Sequence, residues 1–156
     1  MNIWQEKKYI QVLFGLITII GYGLLLPFTG FYWDDWPFAW ISRFLGPAEF
    51  NPAFATFRPF LGPIFYFTTS LIPSAPLYWQ ILALIIRFTI GICAWWMFKQ
   101  LWPERSRMAL ILALFILIFP GYSQHWVAMT LALMIFLFHH IVIKLTRSRF
   151  PLVTCS

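Results

Sequence analysis

The chain has 156 residues, of which 61% are hydrophobic, 21% aromatic and only 10% charged. A soluble domain carries about 25% charged residues, so this composition excludes an ordinary water-facing surface and points to an integral membrane protein. The net charge of +6 forms no basic stripe of the kind that holds nucleic acid, and none is expected as a partner. The charges lie in gaps between apolar runs, where they set orientation in a bilayer.

Lys7 and Lys8 precede a first apolar run, Tyr9–Phe28. This run is longer than the core of a secretory signal and ends in Leu26-Pro27-Phe28-Thr29-Gly30 rather than at a small-x-small cleavage site. It reads as an uncleaved first span. An aromatic and proline-rich segment, Gly30–Pro76, follows. Its apolar stretch Pro59–Ile72 would make a helix of roughly 21 Å, too short to cross and suited to an interfacial or re-entrant position. Leu77–Phe98 makes the second span. Met108–Leu145 is too long for one crossing and is broken by Pro120-Gly121-Tyr122-Ser123-Gln124-His125. It divides into a short third span, Met108–Phe119, and a fourth, Trp126–Leu145. The expected fold is all-α, a membrane bundle of four transmembrane helices with a short helix over residues 59–72.

With Pro59–Ile72 uncrossed, Lys7/Lys8, Lys99/Arg105/Arg107 and Lys144/Arg147/Arg149 share one side. The other side receives Asp34, Asp35, Arg43, Glu49 and Arg58. The positive-inside rule then puts both termini in the cytoplasm and Gly30–Pro76 outside. Trp33, Trp36, Trp40, Trp79, Trp95, Trp96, Trp102 and Trp126 mostly fall near span ends, as an interfacial belt requires. Cys93 and Cys155 make no metal-ligand or redox spacing.

Asp34 and Asp35, between Trp33 and Trp36, are the one concentrated acidic feature. A carboxylate there could act as a base, its pKa raised by its neighbour. The pair could also contribute two ligands to a divalent cation. The structural alternative is that Asp34 caps a helix starting near Asp35, with Asp35 facing solvent or pairing with Arg43. Pro59 suits the first position of a helix, which puts Arg58 at the cap. Its guanidinium there could grip a phosphate or an aspartate, or snorkel to headgroups. The segment Pro47–Phe54 reads as a proline-punctuated connection, and its Glu49 as a second acid or a solvated charge.

Arg87 lies at the middle of the second span, where a charge is expensive and needs a partner or a cavity. Ala83, Gly91 and Ala94 share its neighbourhood on one helical face and allow close helix approach. The partners open to it are a backbone carbonyl, the short external helix, a lipid phosphate or a helix from elsewhere. The turn after Met108–Phe119 should dip below the outer surface. Tyr122, Gln124 and His125 would then line a substrate pocket with Arg87, Arg58 and the aspartates, or form a polar turn among headgroups. His139 and His140 are adjacent and share no helical face, which argues against a metal pair.

A first span, then Trp33-Asp34-Asp35-Trp36, then Arg58-Pro59 before a short apolar helix, resembles the amino-terminal part of polytopic glycosyltransferases of the GT-C fold. The run Phe119–Trp126 is similar to turns in bacterial members of that group. The resemblance implies a bacterial inner-membrane location, a polyprenyl-phosphate sugar as donor, Asp34 or Asp35 as base or acceptor-orienting group, and Arg58 at the lipid phosphate. Such enzymes normally have eight or more spans. Four spans read as a fragment, a truncated frame or a stripped-down relative with an incomplete donor pocket. The alternative function is a non-catalytic small membrane protein that packs with itself, as a homo-oligomer, or with a larger membrane partner. A transporter would need a repeated polar stripe that no span carries.

Overall fold

A computed structural model describes residues 3–31, 35–119, 137 and 139–145 of the chain. Its elements, in order, are α1 (Ile3–Thr18), α2 (Asp35–Trp40), α3 (Phe50–Phe54), α4 (Leu61–Leu71), α5 (Pro76–Leu101) and α6 (Ser106–Ile118). Single π-helical turns extend α1 over Ile19–Gly23 and α2 over Ile41–Leu45. Among the described residues the regular structure is helical, with no strand. Asp34, Tyr122, Gln124 and His125 lie outside the described residues, as does most of the expected span Trp126–Leu145, of which Leu137 and residues 139–145 are helical.

Two helical stretches, Lys8–Phe28 and Pro76–Leu101, are long and apolar enough to cross a membrane, and α6 is a shorter apolar helix. At 1.5 Å per residue α5 is about 39 Å long and α6 about 20 Å, against a hydrocarbon core of about 30 Å. The helix α6 stops where the chain meets Pro120, which disfavours helical geometry in the residue before it. Phe119 accordingly takes φ −58°, ψ 123°.

The chain forms two compact units, one from Met1–Leu24 with Ala83–Ser156, the other Leu25–Leu82. In the first, α1 presents Ile10, Phe14 and Thr18 at four-residue spacing, and α6 presents Ala109, Ala113 and Leu117 in the same way. Both rows meet Ala94 and Trp95 of α5 in a common core. Gly91 lets α5 close on its neighbours: a Cβ there would fall 3.1 Å from Leu117 Cδ1 and 3.2 Å from Phe14 Cδ2.

The second unit is built on rings. Phe50, Phe54 and Phe65 are buried, and the Phe65 ring lies 5.0 Å from each of the other two and 4.7 Å from Phe38. The helices α3 and α4 touch through Gly62, where a Cβ would fall 2.9 Å from the Asn51 Cα. Two expectations change here. Pro47–Phe54 is a 3-10 turn (Pro47–Glu49) running into α3, not an open connection. Pro47 opens that turn and Pro52 lies in the first turn of α3, where a missing N–H costs nothing. Secondly, α4 starts at Leu61 with Phe60 at its cap. The Leu61 N–H donates to the Arg58 carbonyl at 2.9 Å, so Pro59 occupies the second position of a tight turn, another place its fixed φ favours.

Candidate functional site

Three polar features could support chemistry or recognition: Arg87 in α5, the acidic start of α2, and the arginines of Leu25–Leu82.

Arg87 is 4% exposed, about 17 Å along α5 from its first residue. Its Nη1 donates to the Leu117 carbonyl at 3.2 Å and to the Phe119 carbonyl at 3.4 Å. The Tyr22 ring lies against the guanidinium, its centroid 3.8 Å from Cζ. Tyr22 donates its own hydroxyl to the Ile118 carbonyl at 2.7 Å. Three consecutive carbonyls at the end of α6 are thus met by two side chains. The last carbonyls of a helix have no intrahelical donor, and that end carries the negative pole of the helix dipole. The last turn of α6 has no basic residue of its own. Arg87 from α5 supplies the missing cation, so of the partners open to it from sequence the structure provides backbone carbonyls.

Tyr22 lies within a turn in which α1 changes its winding. Thr18 is buried and donates its hydroxyl to the Phe14 carbonyl at 2.7 Å, a contact that competes with the helix ladder. The next turn is π-helical, closed by Leu24 N–H on the Ile19 carbonyl at 3.1 Å. An inserted π turn rotates every later side chain about the axis, and such turns recur at functional sites. Nothing in the local sequence marked Tyr22; it reads as one more aromatic at the end of an apolar run.

At the far end of α5, Gln100 Nε2 is hydrogen-bonded to His140 Nδ1 at 2.9 Å, and the His140 ring stacks on Trp96 with centroids 5.1 Å apart. His140 is therefore held by an amide and an indole. Among the described residues no group of three His, Cys, Asp or Glu side chains could hold a metal ion.

In Leu25–Leu82, Asp35 is half-buried in the first turn of α2, the end of a helix that favours a carboxylate. Arg58 is exposed, with Cζ 6.0 Å from the Phe57 ring, and Glu49 is exposed in its 3-10 turn. Arg43 is exposed beside Phe44 at the same 6.0 Å spacing. Polar side chains also tie this unit internally. Gln80 of α5 donates to the Thr29 and Gly30 carbonyls at 3.0 and 2.9 Å. Ser42 and Ser74 share a 2.8 Å hydrogen bond.

Among the described residues, these features define an all-helical protein with two membrane-length apolar helices and a buried arginine docked on a helix end. No protein-family model, curated protein or solved structure matches the chain.

Proposed function

We propose that the chain is a multi-pass protein of the bacterial inner membrane that acts on a polyprenyl-phosphate-linked sugar at the external face. The observation that carries the membrane part is the placement of apolar surface. Val12, Leu16, Ile19 and Ile20 of the first helix, Ile81 and Ile85 of α5, and Ile111, Phe115 and Ile118 of α6 are all exposed. Only 17% of the most apolar stretch of Lys8–Phe28 and 39% of that of Pro76–Leu101 is buried. A helix from a soluble core would be covered, and apolar patches of this extent on a soluble monomer are rare. Lipid covers such faces without cost, while the buried charge of Arg87 is met by carbonyls, as a bilayer demands. The positive-inside rule then favours both termini in the cytoplasm and Gly30–Pro76 outside.

The transferase part rests on the resemblance of the layout and on Asp35 and Arg58 belonging to one unit, with Arg58 open to a ligand. The carboxylate of Asp34 or Asp35 takes the proton of an acceptor hydroxyl. The acceptor oxygen bonds to the anomeric carbon, the bond from that carbon to the phosphate oxygen breaks, and Arg58 steadies the departing polyprenyl phosphate. Arg87 and Tyr22 act in this reading as the lock that holds α6, not as substrate ligands. The decisive experiment follows sugar transfer from a labelled polyprenyl-phosphate donor in membranes holding the full chain. The double variant Asp34→Asn/Asp35→Asn should abolish transfer; transfer at the original rate overturns the catalytic assignment.

A second reading, a non-catalytic protein packing with itself or a larger membrane partner, is favoured by one observation. In the first unit Arg87, in the middle of α5, and Tyr22, in the last turn of the first helix, donate to the protein's own backbone. Co-purification of a stoichiometric membrane partner, together with transfer indifferent to the aspartates, would establish it.

A further inference from the structure

The helix made by α2 and its π turn has two dissimilar sides. Phe38 turns into the ring cluster, 5.6 Å from Phe54 and 4.7 Å from Phe65. Trp36, Trp40 and Phe44, at four-residue spacing, remain 62%, 54% and 67% exposed. The Trp40 and Phe44 rings lie 6.0 Å apart, and the Arg43 guanidinium lies 6.0 Å from the Phe44 ring. This makes an outward aromatic row with a cation at its edge.

The height of this row is fixed within its own unit. Ser42, between Trp40 and Phe44, is hydrogen-bonded to Ser74 at 2.8 Å, immediately ahead of Pro76, the first residue of α5. The row therefore lies beside the mouth of a membrane-length apolar helix, whose first turn carries Tyr78 and Trp79. Gln80 of that same helix donates to the carbonyls of Thr29 and Gly30, just beyond the first apolar run. Residues 29, 30 and 42 are thus hydrogen-bonded to Gln80 or Ser74, close to the start of α5.

We propose that the Trp36–Trp40–Phe44 row docks on the phospholipid headgroup layer, with the rings at the acyl boundary and Arg43 on lipid phosphate. Trp is favoured at that depth, because its ring is apolar and its N–H is polar. A short helix with one apolar aromatic face and a basic edge lies in the interface plane. The docked helix carries Asp35 in its first turn and so holds that carboxylate at headgroup depth, beside the phosphate of a lipid-linked substrate. The inference rests on the membrane reading above and adds a lipid surface, and a depth for Asp35, to it.

The test uses the full chain with Cys93 and Cys155 replaced by Ala. A single cysteine is introduced as Trp40→Cys, Phe44→Cys or Ile85→Cys and labelled with an environment-sensitive fluorophore. Each protein is reconstituted into phosphatidylcholine–phosphatidylglycerol vesicles. A shallow lipid-borne nitroxide should remove most of the signal at positions 40 and 44, with blue-shifted emission, and aqueous iodide should leave most of it. Adding Arg43→Gln should raise iodide access at position 44; unchanged access removes the arginine from the proposal. Iodide quenching at both positions with none from the nitroxide overturns lipid docking, as does protection from both quenchers, which would mean that protein covers the row. The label at Ile85 separates the two ideas. Lipid quenching there, with a wet row, rejects the docking alone; no lipid quenching at Ile85 rejects the membrane reading with it.

Discussion

In the unit drawn from both parts of the chain, helices approach over Gly91, Ala94, Ala109 and Ala113, with one buried cation at the end of α6. In Leu25–Leu82, by contrast, helices of five, six and eleven residues meet over four phenylalanine rings. The difference follows from what each unit has to overcome. In the membrane reading proposed above, lipid tails are as apolar as leucine, so long helices gain little from hiding leucines, and their register comes from close approach and polar contacts. Short helices are unstable alone. They persist only where each residue buries a large area, which phenylalanine supplies.

The largest expected effect breaks this contrast on the ring side. Phe65 is fully buried against Phe38, Phe50 and Phe54. Phe65→Ala should cost about 3–5 kcal/mol, and limited proteolysis of the full chain in mild detergent should then cut within Leu25–Leu82. Cleavage should leave the helices that carry Arg87 intact. Simultaneous loss of both units would show that the ring cluster supports the whole chain.

Next in size is the cation. Arg87→Met withdraws a donor from the Leu117 and Phe119 carbonyls, at about 1–3 kcal/mol for each group left unsatisfied in an apolar surround. Removing a buried charge also relieves its desolvation, but the carbonyls stay behind, and their loss decides the sign. Denaturation by SDS from mild detergent should report the destabilisation. Tyr22→Phe keeps the ring and removes only the hydroxyl bond to Ile118, at about 1 kcal/mol. Tyr22→Leu removes the ring as well, and its coupling to Arg87→Met should be about 0.5–2 kcal/mol. Zero coupling would reduce the 3.8 Å ring contact to mere proximity.

Arg87 also shows how far the sequence could be read. That a lone cation in an apolar run needs a partner follows from its cost in a low-dielectric surround. That a helix should stop at Pro120 follows from proline sterics. What the sequence does not carry is that the stop falls level with the arginine, or that Tyr22 meets the same place from within a π turn. Both depend on how three helices pack. The same limit applies to Pro47, Pro52 and Pro59: punctuation was legible, but whether a proline opens a helix or a turn depended on its neighbours' hydrogen bonds. Asp35 does begin a helix, because a carboxylate at that end is favourable whatever its further role. Trp36 and Trp40 were legible only as members of an interfacial belt; that they share an exposed side with Phe44 is settled by the burial of Phe38's ring partners.

The smallest effect sharpens the contrast most, because it compares one methyl group in the two settings. At Gly62 a Cβ would meet the Asn51 Cα at 2.9 Å and the Phe50 carbonyl oxygen at 3.1 Å. Backbone atoms cannot rotate away, so α3 and α4 must part, and Gly62→Ala should cost about 1–3 kcal/mol. At Gly91 the same methyl would meet Leu117 Cδ1 at 3.1 Å and Phe14 Cδ2 at 3.2 Å. These are side-chain ends that can give by a few tenths of an ångström, and alanine gains about 1 kcal/mol of helix propensity over glycine. Gly91→Ala should therefore fall within about 1 kcal/mol of neutral, by the same SDS titration. If it proves as costly as Gly62→Ala, the contact of α5 with α1 and α6 is as unyielding as the α3–α4 backbone contact. Close approach would then set the register of both units, with the rings and the arginine only filling around it.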